Sequence, residues 1–357
     1  MSDRPLLVSF RPRIRIEGRD DAALADSLIR LETREDEGGV AELEAVFLNF
    51  GLRSDGAAPG FVHFDRERLD FGKRIAVTAG GATIFDGFIG AIGGLYPEQR
   101  PPELVVLAED ALARLRLARR SRSFEQRSDA EILRDIAGDH GLQDRVSLDG
   151  PTHALRWQVG QSELALLRER ASALDARIAA TDGALDIRTE PRAEPPIPLS
   201  RLNELIRFEC RADLAEQRSA VRVHGWDVAA KQGVTGEGDS GAARAVAFAQ
   251  GRTGAEIIRE AWGEAAEDLH LEQPATEGEA RALAEARMKA RARRFVTGRG
   301  VTSGTAELRV GRKVELLDLG PWFSGVWEVT ELRHRFDQAE GFRTEFAACR
   351  AALEQGA

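Results

Sequence analysis

Gly238-Asp239-Ser240-Gly241 spells the nucleophile motif of chymotrypsin-like proteases. A serine nucleophile needs a histidine base in the same pocket and a buried aspartate to orient that base. No histidine segment of that kind occurs, and Ala242-Ala243 stands where Gly-Pro would continue the motif. The stretch reads as a flexible acidic loop. Gly236, Gly238 and Gly241 also satisfy Gly-x-Gly-x-x-Gly, the spacing with which a strand-turn-helix unit cradles a pyrophosphate. The preceding AAKQGVT is no buried strand, and Glu237 and Asp239 would repel phosphate.

The histidines at 63, 140, 153, 224, 270 and 334 are scattered, and none pairs at His-x-x-x-His spacing. A metal site would have to be assembled from distant parts, so no metal and no cofactor is expected. His224, beside Gly225 and Trp226, reads as a packed strand residue. With 59 acidic residues, counting cannot single out the carboxylate pair of a glycosidase, and no catalytic residue is assigned. The sharpest basic cluster is ARLRLARRSRSF at 113–124, containing Arg119, Arg120 and Arg122. It lacks the interleaved aromatics that stack on bases, so no nucleic-acid binding is expected. It reads as a solvated helix face with inter-domain ion pairs, or as an inter-subunit contact with acidic neighbours. Trp322 and Phe323, beside Pro321, are either core residues or interface anchors.

The elements that must position these residues begin with a β-rich first hundred. Ile14 and Ile16 alternate with arginines, and Leu43, Ala45 and Phe47 form another alternating set. Gly80-Gly81 marks a hairpin between strands at 74–79 and 83–89, and 103–108 is a further strand. Several short strands of this kind make a barrel or a sandwich. Ser128 and Glu131 form a capping box for a helix carrying Ile132, Leu133, Ile136 and Ala137 on one face, with Gly141 as its left-handed cap. A second helix starts at Ser162, with Leu164, Leu167, Ala171, Leu174 and Ile178 in helical spacing. Asp182-Gly183 then turns into a strand at 184–188. PRAEPPIPL at 191–199 reads as a linker. Strand signal returns at 205–210 and 221–223, then stops in the glycine-rich loop 233–241. Residues 242–295 read mostly helical, with a capping box at Thr276 and Glu279. Strands resume at 302–308, 313–318, 326–336 and 342–347. In the third, Trp327 and Val329 have one parity and Leu332, His334 and Phe336 the other, which predicts a β-bulge near Thr330.

At 357 residues the chain holds about two or three domains. A formal charge of −9 disfavours a nucleic-acid-coating protein. Two cysteines, Cys210 and Cys349, are too few for a disulfide scaffold and point to a reducing compartment. Arginines interrupt the apolar stretch of MSDRPLLVSFRPRIRI, which argues against a signal peptide. No apolar run approaches the ~20 residues that span a bilayer, so no direct membrane insertion and synthesis in the cytoplasm are expected.

The order of the parts in 124–188 resembles the middle of the phage late-control protein D family. Three further segments resemble it collinearly: FDGFIGAIGGLYPE at 85–98, VRVHGWDVAAKQGVTGEG at 221–238, and the closing β segment at 295–336 with GFRTEF at 341–346. The resemblance implies an α+β, mainly β fold: two tube-type β-barrel domains with an α/β insertion and a helical insertion. The division it implies is 1–115 for the first barrel, 116–195 for the α/β domain, 196–228 plus 296–350 for the second barrel, and 229–295 for the helical insertion. Members of that family are baseplate hubs of contractile tails, similar to the N-terminal hub part of type VI secretion spike proteins. The expected role is therefore a non-enzymatic hub that adapts a sixfold inner tube to a threefold spike. Since neither an oligonucleotide-fold domain nor a β-helix is read after the last expected strand, a hub of this kind is expected to take its spike from a separate protein. The implied partners are two more copies of itself in a homotrimer, the inner tube protein, a separately encoded spike protein and other baseplate subunits. The implied location is the cytoplasm during assembly and then the tail or injection particle. A tail-associated cell-wall hydrolase is the alternative function.

Overall fold

The computed structural model describes residues 10–52, 58–181, 183–248, 250–270 and 274–354. Residues 1–9, over half of the segment read against a signal peptide, and Asp182 of the expected turn lie outside them.

Alternation sets the strand faces. Ile14 and Ile16 are buried while Arg13 and Arg15 face solvent; Ile75, Val77 and Ala79 point inward along Arg74–Ala79. Ala79 pairs with Ala82, which places Gly80-Gly81 at the tip of a hairpin. Strand pairing then runs through thirteen strands of one sheet. Its order is Leu205–Ala212, Val296–Thr302, Gly341–Arg350, Gly325–Asp337, Leu28–Asp36, Glu42–Leu48, Glu103–Glu109, Ala82–Leu95, Arg74–Ala79, Arg13–Ile16 and Arg19–Asp20. Off this path, Ile197–Ser200 pairs with Lys313–Leu317, which pairs with Gly325–Asp337.

Two cores lie against this sheet. Leu31, Leu43, Phe47, Val77 and Leu104 centre the first; Leu199, Val314, Trp327, Val329 and Phe346 centre the second. The protein is thus α+β, mainly β, with two tube-type barrels sharing one sheet. The long strand Gly325–Asp337 serves both. Trp327 and Val329 point into the second core, the register slips between Val329 and Glu331, and Phe336 then points into the first. The bulge expected at Thr330 keeps Leu332, beyond the slip, on the same face as Trp327 and Val329, so the strand's inward side passes from the second core to the first along its length. Across the junction, Arg333 pairs with Glu32 and Glu345, and Arg335 with Glu345 at 3.0 Å.

The described residues hold six α-helices: α1 Ala22–Ser27, α2 Asp129–Asp139, α3 Glu163–Ala173, α4 Ser240–Ala245, α5 Gly254–Trp262 and α6 Glu277–Arg293. Helix α2 starts on the Ser128/Glu131 capping box, both arms of which form. It ends in a Schellman arrangement, with Gly141 at φ 65° and the Leu142 N–H donating to Ala137 O at 2.9 Å. Ile132, Leu133 and Ile136 are fully buried with Leu167, Leu185 and Ile187. Each such side chain contributes roughly 1.5–3 kcal/mol of burial.

Several elements differ from the expectations, each for a local reason. Helix α3 stops at Ala173, and Ile178 instead lies in Arg177–Thr181, which pairs with Ala184–Arg188. The run at 113–124 is not one helix. A short 3₁₀ turn, Ala111–Arg116, leads into strand Arg119–Ser128, which pairs antiparallel with Thr152–Ser162. The end of the proline-rich linker is strand Ile197–Ser200, where Pro198 is tolerated because its strand has only one hydrogen-bonded neighbour.

The glycine-rich stretch 233–241 is mostly strand: Gln232–Gly238 pairs with Ala220–Asp227. That pair and Ala266–Leu269 form a separate three-stranded sheet against α6. The stretch expected to be helical, 229–295, therefore carries strands as well, and Ala220–Asp227 joins them, not the second barrel's sheet. Strand Val296–Thr302 likewise replaces the strand expected at 302–308. Its Gly298 and Gly300 lie under the rings of Phe208 and Phe346, where any Cβ would collide.

Candidate functional site

Arg119, Arg120 and Arg122 sit at the start of strand Arg119–Ser128, opposite Ser162, Gln161 and Gln158. Glu163, the first residue of α3, is 1% exposed, and a carboxylate there is favoured by the helix dipole. Arg122 Nη2 donates to Glu163 at 3.0 Å and its Nη1 to Asp139 at 2.8 Å. Arg120 reaches the same two carboxylates, both at 3.2 Å. His140 Nε2 contacts the other Glu163 oxygen. Arg119 donates to Gly160 O at 2.9 Å, across the irregularity in the facing strand. The basic cluster thus binds its own hairpin to α2 and α3. Arg119 and Arg120 keep exposed surface, and Arg122 is largely turned inward.

Trp322 and Phe323 divide. Phe323 packs on the second barrel's core, and its carbonyl accepts from Trp327 Nε1 at 3.0 Å. Trp322 is 59% exposed. Its loop is held from below by Arg350, 1% exposed, which donates to Trp322 O and to Ser324 O and lies over the Trp327 ring. A rigid loop therefore displays one large aromatic. The arginine cluster and Trp322 lie on different units and are not brought together.

The residues with motif spacing have structural roles. A Cβ on Gly236 would lie 2.1 Å from Arg281 N, and one on Gly238 would lie 2.4 Å from Ala284 O. These glycines let the strand lie on the α6 backbone and form no phosphate cradle. Asp239 caps α4, accepting from the Gly241 N–H at 2.8 Å. A serine–histidine contact does occur elsewhere, between Ser27 Oγ and His63 Nε2 at 2.8 Å. Ser27 already donates to Leu24 O, so the ring must donate to the serine, and the buried Nδ1 has no partner. Its proton runs the wrong way for a nucleophile–base pair. His334, 1% exposed, bonds Thr344, and burial beside Arg309 pushes its pKa down to about 3. Among the described residues no group of three or more His, Cys, Asp or Glu is placed to hold a metal ion.

Two features carry no sequence signal. A cleft of about 1500 Å³ opens between the barrels, α3 and α6, lined by acids and arginines alike, including Glu37, Arg168, Asp175, Glu267, Arg291 and Arg293. In its wall Arg293 meets Asp175 at 2.5 Å, and Arg177 pairs with Glu328 and Glu37. Burial pushes the Asp175 carboxyl up to about 6 despite the nearby Arg293 and Arg177. This charged knot ties the turn at 36–41, the end of α3, α6 and the strand Gly325–Asp337 together. The other feature is an exposed aromatic group, Phe50, Phe61, Phe64 and Tyr96, with Phe61 and Phe64 ring centroids 5.0 Å apart.

The fold is found in solved structures. A 43 kDa prophage tail protein from Shewanella oneidensis matches at TM-score 0.69 and 13% identity, covering 97% of this chain and 100% of that one. A tail protein from Neisseria meningitidis matches at 0.67 and 12%, covering 96% and 97%. An Escherichia coli component of the type VI secretion system, itself structurally similar to T4 bacteriophage tail proteins, matches at 0.61 and 12%, covering 96% and 78%. At these identities the likeness is one of fold. No curated protein matches the chain in sequence. A family model, the Alg8 N-terminal domain, matches residues 55–338, most of the chain, and the protein therefore belongs to the Alg8 N-terminal domain family.

Proposed function

We propose that this chain is a structural hub of a contractile injection particle, adapting a sixfold inner tube to a threefold spike. The observation that carries the reading is the shared sheet. Two barrels lie side by side in one chain, and among the described residues the main path of their shared sheet ends in two open edges, with Ile197–Ser200 a third edge off that path. One is Leu205–Ala212, paired on one side only; the other is Arg13–Ile16, extended only by the two residues Arg19–Asp20. Unpaired edges invite pairing with another chain. Three copies joined through these two edges would close a ring of six barrels, leaving over only the short, proline-bearing edge Ile197–Ser200.

In this reading the barrels occupy about 1–115 and 196–228 with 296–350, less the strand Ala220–Asp227, which goes to the insertion. The α/β domain takes 116–195. The inner tube protein stacks on one face of the ring, the spike on the other, and further baseplate subunits surround it. Trp322, displayed on its braced loop, and the exposed part of Arg119 and Arg120 are the contacts available to those neighbours; Arg122 and Phe323 support them from within. The fold shared with tail and type VI secretion proteins supports this assignment, as does the collinear resemblance to late-control protein D. Deleting the gene in cells that make the particle tests it. Sheathed, tube-bearing particles should vanish from electron micrographs and return on complementation, whereas unchanged particles would overturn the proposal.

A further inference from the structure

The carboxyl end of α6 is pinned by Arg293 to Asp175, just beyond α3. Its amino end is pinned by a different device. Thr276 caps the helix, accepting from the Glu279 N–H at 3.1 Å, but Glu279 does not return the favour to Thr276 as a capping box would. One Glu279 oxygen accepts from the Ala275 N–H at 2.7 Å, and the other contacts Nδ1 of His153. His153 lies on strand Thr152–Ser162 of the α/β unit, and its Nε2 is 3.1 Å from Asp129 Oδ2, at the start of α2. His153, Asp129 and Glu279 are 3%, 2% and 6% exposed. Each ring nitrogen thus faces a buried carboxylate.

The other charges facing this site come from every element around it. Arg156, on the same strand, is 3.7 Å from Glu279. Arg170 of α3 is 3.6 Å from Asp129 and bonds Glu169. Arg127, across the strand pair from His153, is engaged with Glu131 and Asp135.

A neutral imidazole carries one N–H, whereas the imidazolium carries two. Only the charged ring turns a proton toward both carboxylates: Nδ1 bonds Glu279, and Nε2 stands 3.1 Å from Asp129 as an ion pair outside hydrogen-bond alignment. The neutral ring would turn a lone pair toward one of them. We propose that His153 is a proton-operated latch: charged, it fastens the amino end of α6 to the α/β unit, and losing its proton releases that end.

Burial alone would lower the pKa of His153, but pairing with Asp129 and Glu279 outweighs it and holds the value above the ordinary 6.5. Glu279 is correspondingly held down, to about 2, although burial opposes this. The sign follows. The histidine's contribution is complete below 6.5 and is lost as pH rises through its elevated value; the glutamate's is complete above 4.5 and is lost only near 2. The latch is closed below 6.5 and opens as pH rises through the elevated value. Release is confined to the amino end, because the Asp175 carboxylate at the other end is ionised above about 6 and still faces Arg293.

Hydrogen exchange on the full chain, corrected for the intrinsic pH dependence, tests this at pH 6 and pH 8.5. Protection of amides in residues 277–283 should fall about tenfold for each unit by which the pKa of His153 is raised. Residues 287–293, which answer to Asp175, should change less, and in His153→Gln residues 277–283 should lose their response to pH. Equal changes at both ends, or an unchanged pH response in the variant, would overturn the proposal. If the variant does not fold, the wild-type ring decides alone: its NMR titration midpoint must lie above 6.5, and a midpoint below that value refutes the latch.

Discussion

Replacing Gly236 by alanine adds one methyl group at the place where a strand rests on a helix backbone. That methyl carbon would stand 2.1 Å from Arg281 N and 2.2 Å from Ala280 C. Comfortable carbon contacts are roughly 3.5–4.0 Å, so strand and helix must separate by about 1 Å or more. The obstacle is main chain on both sides, so no side chain can rotate away to absorb the strain. Separation would loosen Leu283, Ala284 and Met288 against Val221 and Val223. Overpacking of this kind costs about 1–3 kcal/mol, and the upper end is expected here. Gly233 lies in the same strand with no atom within 4 Å of its would-be Cβ. Gly233→Ala should therefore stay within about 0.5 kcal/mol of wild type, as exposed substitutions do. Urea unfolding of both variants, fitted with a common slope, gives the comparison. If Gly236→Ala proves as stable as Gly233→Ala, the glycines are not there for packing and the phosphate-loop reading returns.

Ser128→Ala should cost ~1 kcal/mol through loss of the α2 cap, and Ile136→Ala ~2–5 kcal/mol through a cavity in the α/β core; a neutral Ile136→Ala in the same denaturation assay would contradict the packing described for that core. Asp175, raised by burial to about 6 from 3.8, favours the fold when protonated; that contribution is present below 3.8 and is lost as pH rises through 6, about 3 kcal/mol in all. Asp175→Asn should therefore flatten the stability difference between pH 4 and pH 7.5, and a variant that tracks wild type across that range would refute the assignment. Trp322→Ala should leave the stability of the free chain within about 0.5 kcal/mol while abolishing assembly of particles, read by melting and by electron microscopy. The purified chain should give no lytic band on a peptidoglycan zymogram, the result that separates a hub from a wall hydrolase.

What was legible in the sequence was whatever is encoded within a few residues. The alternation of Ile14 and Ile16, the hairpin at Gly80-Gly81, the box at Ser128 and Glu131 and the parity slip at Thr330 all stand in the structure. What failed depended on partners far away in the chain. Glycine reads as loop, yet Gln232–Gly238 and Val296–Thr302 are strands whose glycines admit a helix or an aromatic ring brought there by the fold. Glu279 reads as half of a capping box, but its carboxylate is claimed by His153, 126 residues away. The arginine run reads as helix because its charges fit any exposed face; pairing with Thr152–Ser162 decides for strand. Phe323 and Trp322 are neighbours with opposite fates, and only the placement of Arg350 beneath their loop separates them.

The central claim is geometric, and symmetry tests it most directly. In the proposed role a sixfold tube meets a threefold spike, and a chain with two barrels would reconcile them if three copies formed the layer between. Averaged electron micrographs of intact particles, with this chain located by a tag, would count its copies. The account predicts three, presenting six barrels toward the tube; a layer holding six copies, or one, would contradict it.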